Sequence, residues 1–255
     1  MSPMLIAWIV FGCVFGGALL GMFLRTALPA HHLSQDSKDI VKLGTGLIGT
    51  MAALVISLLI SSAKSTFDTQ SNELTQVAAN IVLVDRILAH YGPEAQETRD
   101  LIRRVAAVWL DRMWPADRSR PVTLETANGG PAPIEVIQDK IRRLAPQNDA
   151  QRQLQSEALQ LTGNLAQTRW LFFEQFGSGG IPLPFLVILV IWLTVIFVSF
   201  GLFAPSNPTV IAVLLLCALS ASGAVFLILE LERPFEGLMK ISSAPVRATL
   251  SHLGQ

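Results

Sequence analysis

The 255-residue chain is 51% hydrophobic and only 15% charged, with equal numbers of acidic and basic residues. A soluble domain carries about 25% charged residues, and zero net charge leaves no global attraction for nucleic acid. The deficit is concentrated in four almost wholly apolar segments, while the stretch between the second and third is ordinarily polar. That excludes a wholly soluble protein and predicts an all-α integral membrane protein with one helical extramembrane domain.

The predicted spans are Met4–Leu24, Leu43–Ala63, Leu183–Ala204 and Pro208–Leu229. Each crosses roughly 30 Å of hydrocarbon at about 1.5 Å per residue. The first has no basic residue before it and Arg25 after it, so it reads as a span rather than a cleaved signal. The chain divides into membrane helices 1 and 2 (1–63), the extramembrane domain (64–180), membrane helices 3 and 4 (181–231) and a C-terminal tail (232–255). Four spans put the N-terminus, the 64–180 domain and the C-terminus on one side. Lys64, Arg233, Lys240 and Arg247 lie close to span ends there, against Arg25, Lys38 and Lys42 on the other. The basic bias assigns the larger side to the cytoplasm. Cys13 and Cys217 each sit midway along an apolar segment, poor positions for a disulfide or a metal.

Beyond Ser65, Leu74, Val77, Ile81, Val84, Leu88 and Tyr91 recur at alternating intervals of three and four, a helical seam. In "HYGPEA", Gly92 suits the left-handed residue that ends a helix and Pro93 the first turn of the next. An antiparallel hairpin follows, its second helix carrying Leu101, Val105, Val108 and Trp109 on one side. A short helix then carries Ile134, Ile137, Ile141 and Leu144, and a longer one Leu154, Ala158, Leu161, Leu165, Thr168 and Phe172. Trp170, Phe172, Phe173 and Phe176 precede the third span as an interfacial aromatic belt.

Span two differs from the rest. Small residues fall every four positions at Thr45, Gly49, Ala53, Ser57, Ser61 and Ser65, which lets a neighbouring backbone approach. At 100° per residue, Thr50, Ser57, Ser61, Lys64 and Asp68 fall within about 40° of one line. This hydroxyl stripe has two readings. It is either close packing with hydroxyls bonded to their own helix, or the wall of a water-filled path whose mouth carries Lys64 and Asp68. Hydroxyls replace part of an ion's hydration without trapping it. Gly12, Gly16, Gly17 and Gly21 in span one, and Ser220, Ser222 and Gly223 in span four, read as helix packing.

"ELERPFEG" clusters Glu230, Glu232 and Glu236. Such carboxylates could hold Ca²⁺, though with Arg233 among them they equally describe a solvated or salt-bridged turn. No other cofactor is indicated. Neither GxSxG, a P-loop, HExxH nor CxxC occurs, so an enzyme is not expected. His31 and His32 read as a solvated loop. Charges in "DRIL" (85–88) and "RDLIRR" (99–104) read as salt-bridged faces of packed helices.

Taken together, "SSAKSTFDTQ", "AANIVLVDRILAHYGPEA", "RDLIRR", "FGLFAPSNPTV" and "LILELERPFEGLMKISSAP" resemble the bacterial bestrophin-like family, from the second span to about Pro245. Bestrophins are pentameric ion channels with four membrane helices per subunit. The resemblance therefore implies a homo-oligomeric channel in a bacterial inner membrane, with lipid and inorganic ions as partners and no nucleic acid. It implies a pore lined by the second membrane helix, here Ser57 and Ser61, and a Ca²⁺ clasp region at Glu230, Glu232 and Glu236. Bestrophin pore necks are built of bulky apolar residues including phenylalanine, whereas span two here has no aromatic before Phe67. The alternative is a non-conducting membrane scaffold whose helical domain binds a partner protein.

Overall fold

The computed structural model describes residues 2–29, 35–114, 133–178, 183–205, 207–235 and 237–253. They form helices α1 (Pro3–Ala27), α2 (Gln35–Tyr91), α3 (Gln96–Met113), α4 (Pro133–Arg142), α5 (Asp149–Ser178), α6 (Leu183–Phe203), α7 (Pro208–Leu231) and α8 (Ala244–His252). No strand occurs among the described residues. Helices α1, α2, α6 and α7 are each long and apolar enough to cross a membrane. The protein is an all-α membrane protein with four candidate spans. Its contacts divide it into two units, Met1–Thr66 with Gly180–Glu232, and Phe67–Gly179 with Arg233–Gln255. His31 and His32 lie outside the described residues, as do the side chains of Phe172, Phe173 and Phe176.

In the first unit, α1 is started by Ser2, whose hydroxyl accepts from the Leu5 amide at 3.3 Å, with Pro3 in the first turn. It packs chiefly on α6 and also on α7. Glycine makes the α1–α6 contact close. A Cβ at Gly21 would fall 2.1 Å from the Val198 carbonyl oxygen, and one at Gly201 would fall 2.0 Å from that of Ala18. The packing expected of span one holds at Gly17 and Gly21. Gly12 and Gly16 are exposed, with no atom within 4 Å of an added Cβ. Arg25 donates to the Ala204 carbonyl and so ties the end of α1 to the end of α6. Asn207 caps α7 by accepting from the Val210 amide at 2.9 Å, and Pro208 follows it.

In the second unit the hairpin forms as expected. Val84, Leu88 and Tyr91 of α2 share a core with Ala95 and Ile102, closed by Ile137 and Ile141 of α4 and Ala158 and Leu165 of α5. The turn differs in detail. Gly92 has φ +130° and ψ −178°, the extended conformation open to glycine alone, rather than the left-handed helical one. Pro93 then opens a single 3₁₀ turn, Pro93–Ala95. The buried face of α3 also differs. It runs through Thr98, Ile102 and Ala106, leaving Leu101, Val105 and Trp109 half-buried and Val108 49% exposed. Small residues bring the helix closer along their own line. Val108 lies about 120° from Ile102 around the axis, on the rim.

Residues after Glu232 build a second core there. Phe235, Ile241 and Val246 pack on Leu74 and Ala78, with Phe67, Trp109 and Trp114 at the margin. Trp114 Nε1 donates to the Ile241 carbonyl at 3.0 Å, and its ring meets Phe235 edge-on at 5.7 Å between centroids. The Thr249 hydroxyl lies 3.4 Å from the Ala78 carbonyl oxygen.

Candidate functional site

The face that α2 turns to its own chain is set by Ala52 and Ala63, both buried, with Ile48, Ile56 and Leu59 half-buried beside them. Their spacing of three and four places them along one side of the helix. Thr50, Ser57, Ser61 and Lys64 lie roughly opposite and are exposed. Leu43, Leu47, Leu54 and Leu58, also exposed, run along one flank of that stripe. Of the apolar window of α2 only 6% is buried, against 28%, 33% and 28% for α1, α6 and α7. Asp68, the remaining predicted member, falls in the second unit and is exposed.

The every-fourth-residue row of small side chains does not stay on one face. Steps of four advance about 40° each, so Thr45 is buried while Ser57, Ser61 and Ser65 are exposed. Thr45 follows the packing reading: its hydroxyl donates to the Val41 carbonyl and lies 3.3 Å from Ser199 Oγ. The Thr50 hydroxyl donates to the Leu47 carbonyl at 2.8 Å while its side remains open. Both hydroxyls bond their own helix, Thr45 on the buried side and Thr50 on the exposed one.

Glu230 sits in the last turn of α7 and is 3% exposed, with Glu232 half-buried after it. Glu230 is thus not a solvated turn residue: the helix carries it into the packed end of the unit. Glu236 lies outside the described residues. Among the described residues no three His, Cys, Asp or Glu gather at a metal-holding distance.

The salt-bridged helix faces expected of the two charged motifs form, and one ion pair, Asp85–Arg99, joins the motifs to each other. Asp85 and Arg99 have side-chain exposures of 2% and 11%. Arg99 Nε donates to Oδ1 at 2.9 Å and Nη2 to Oδ2 at 3.0 Å, a bidentate fork. The hydrogen bond to Asp85 holds the guanidinium pKa above its ordinary value, against the effect of burial. Charge alternation at helical spacing was visible, but nothing in it selects this partner.

The family model of the bestrophin-like domain matches residues 12–246. The chain belongs to the bestrophin-like family. Two crystal structures of point mutants of a bacterial bestrophin homologue from Klebsiella pneumoniae share its fold. One has a TM-score of 0.65 at 15% identity over 95% of this chain and 99% of the other. The second has a TM-score of 0.69 at 15% identity over 99% and 97%. A crystal structure described as a membrane protein matches at TM-score 0.63 and 14% identity over 94% and 97%. No curated protein matches significantly. At such identities this bestrophin-like protein shares an architecture with these structures.

Proposed function

We propose that this bestrophin-like protein is a homo-oligomeric ion channel, with α2 helices around a common axis and the face Thr50, Ser57, Ser61 and Lys64 lining the path. The observation that carries the reading is the position of that face. It points away from the helices α2 packs on within its own chain, on the span its own chain covers least. Hydroxyls facing hydrocarbon gain nothing there, whereas a water-filled path solvates them and lets them replace part of an ion's shell. The adjacent leucines suit lipid or a neighbouring subunit. Lys64 and, one turn on, Asp68 set opposite charges at the mouth. The helical unit extends the path as a vestibule. Basic residues near the span ends support its placement in the cytoplasm, below a bacterial inner membrane. Five subunits follow from the family likeness, and Ca²⁺ at Glu230, Glu232 and Glu236 rests on that likeness alone.

Reconstitution in liposomes tests conduction, and thiol accessibility tests the lining. In a background carrying Cys13→Ser and Cys217→Ser, Thr50→Cys, Ser57→Cys and Ser61→Cys are expected to react with water-borne thiol reagents and block flux. Ile48→Cys, Ala52→Cys and Leu59→Cys are expected to stay protected. Absence of flux under every salt and Ca²⁺ condition, or uniform protection of both sets, refutes the channel.

The scaffold reading draws support from Leu83, Val108 and Val136, which are about half exposed on the helical unit. One soluble partner captured stoichiometrically by non-conducting protein would favour it.

A further inference from the structure

In the first unit a cavity of about 490 Å³ opens where α2 passes α6 and α7. Gly46 and Gly49 form one wall, and Phe200, Phe203 and Leu214 the other. We propose that this cavity holds one acyl chain of an anionic membrane phospholipid, with the headgroup phosphate at Lys42.

The volume lies in the range of sites for small organic ligands, about 300–1,000 Å³. Its polarity is graded along its length. Lys42 and Ala204 line the end near the helix termini, and the Ala204 carbonyl carries the Arg25 guanidinium. Gly49 lies seven residues inside Lys42, about 10 Å deeper, and the deep walls are apolar. Asp39, 3.9 Å from Lys42, offsets part of this charge, so the rim keeps a net positive balance from Arg25, Lys42 and Asp39. Thr45 and Ser199 line the wall, but Ser199 Oγ and Thr45 Oγ1 satisfy one another at 3.3 Å and Thr45 also bonds Val41. They ask for no polar ligand. Open space adjoins both glycines, since a Cβ at Gly46 or Gly49 meets no atom within 4 Å. A charged boundary end and an apolar depth match a phospholipid, whereas a polar solute would desolvate without compensation.

The test uses the purified full chain, incubated with vesicles of equimolar phosphatidylglycerol and phosphatidylcholine, with retained lipids counted by native mass spectrometry. Wild type is expected to keep phosphatidylglycerol preferentially. Lys42→Gln should lower that preference about fivefold, the weight of one cation near an anionic headgroup. Gly49→Leu should remove the retained lipid while circular dichroism and oligomer size stay unchanged. Retention identical to wild type in both variants overturns the proposal. So does inter-chain crosslinking by a photoreactive maleimide attached at Gly49→Cys in the Cys13→Ser, Cys217→Ser background, since a second subunit would then fill the space. Neither outcome depends on conduction.

Discussion

Cutting either side of the Asp85–Arg99 fork should destabilise the helical unit severely, while removing both sides should not. The two groups exchange hydrogen bonds of 2.9 and 3.0 Å with side-chain exposures of 2% and 11%. Asp85→Leu leaves a guanidinium in the packed seam, and Arg99→Met leaves a carboxylate there. An uncompensated buried charge of this kind costs about 3–5 kcal/mol, a factor of at least about 100 in the local opening equilibrium at 1.4 kcal/mol per tenfold. The double variant Asp85→Leu, Arg99→Met removes both desolvation penalties and fills the volume, so it should lie within about 1 kcal/mol of wild type. Hydrogen exchange in detergent reads this directly, through amides of residues 84–91 and 98–106. Both stretches should exchange at least about 100-fold faster in each single variant and return close to wild type in the double. Base cannot substitute for the mutation, because Asp85 holds Arg99 protonated above its ordinary range. Single variants within about 1 kcal/mol of wild type, or a double variant showing the sum of the single losses, would falsify the assignment of a coupled buried pair.

Two further outcomes follow from other contacts. Gly201→Ala should lower thermal stability by about 1–3 kcal/mol, since its Cβ would fall 2.0 Å from the Ala18 carbonyl oxygen. Gly16→Ala, with open space around it, should raise stability by up to about 1 kcal/mol through helix propensity, and a shared sign would defeat the packing argument. Glu97, on α3, is held below its ordinary pKa by the hydrogen bond and charge of Lys140 on α4. A depressed carboxylate contributes above its unfolded value, near 4.5, and loses that contribution as pH falls through the folded value. Protection of the amides of residues 134–142, after correction for the intrinsic pH dependence of exchange, should therefore fall in acid, and Glu97→Gln should remove that part of the acid dependence.

The four spans were legible because hydrocarbon thickness dictates a length and a composition that little else in the chain meets. The hairpin was legible too: the seam of Leu74 to Tyr91 and the Gly92–Pro93 break are local signals. What failed was anything decided by a distant partner. Val108 looked like a core residue until Thr98 and Ala106, unremarkable as apolar signals, fixed the line of closest approach. Gly16 and Gly17 are neighbours in sequence, yet only Gly17 meets α6. The stripe of Thr50, Ser57 and Ser61 could be drawn from the helical angle, but the side it presents depends on Ala52 and Ala63 being the covered ones. The lipid-sized cavity was invisible, because half its wall lies some 150 residues away from Gly46 and no local pattern records that gap.

The core that joins Leu74 and Ala78 to Phe235, Ile241 and Val246 also orders events during synthesis. When Leu74 is made, its partners Phe235, Ile241 and Val246 are still about 160 to 170 residues from being translated, and both later spans must be made in between. The seam beside Leu74 therefore spends most of the chain's synthesis without its cover, a long-range closure of the kind that folds late and exposes apolar surface meanwhile. Quality control that inspects the membrane protein before Phe235, Ile241 and Val246 dock would meet an unfinished helical unit. A lesion at Trp114 or Ile241 should accordingly reduce the amount of protein that accumulates before it alters anything the finished molecule does.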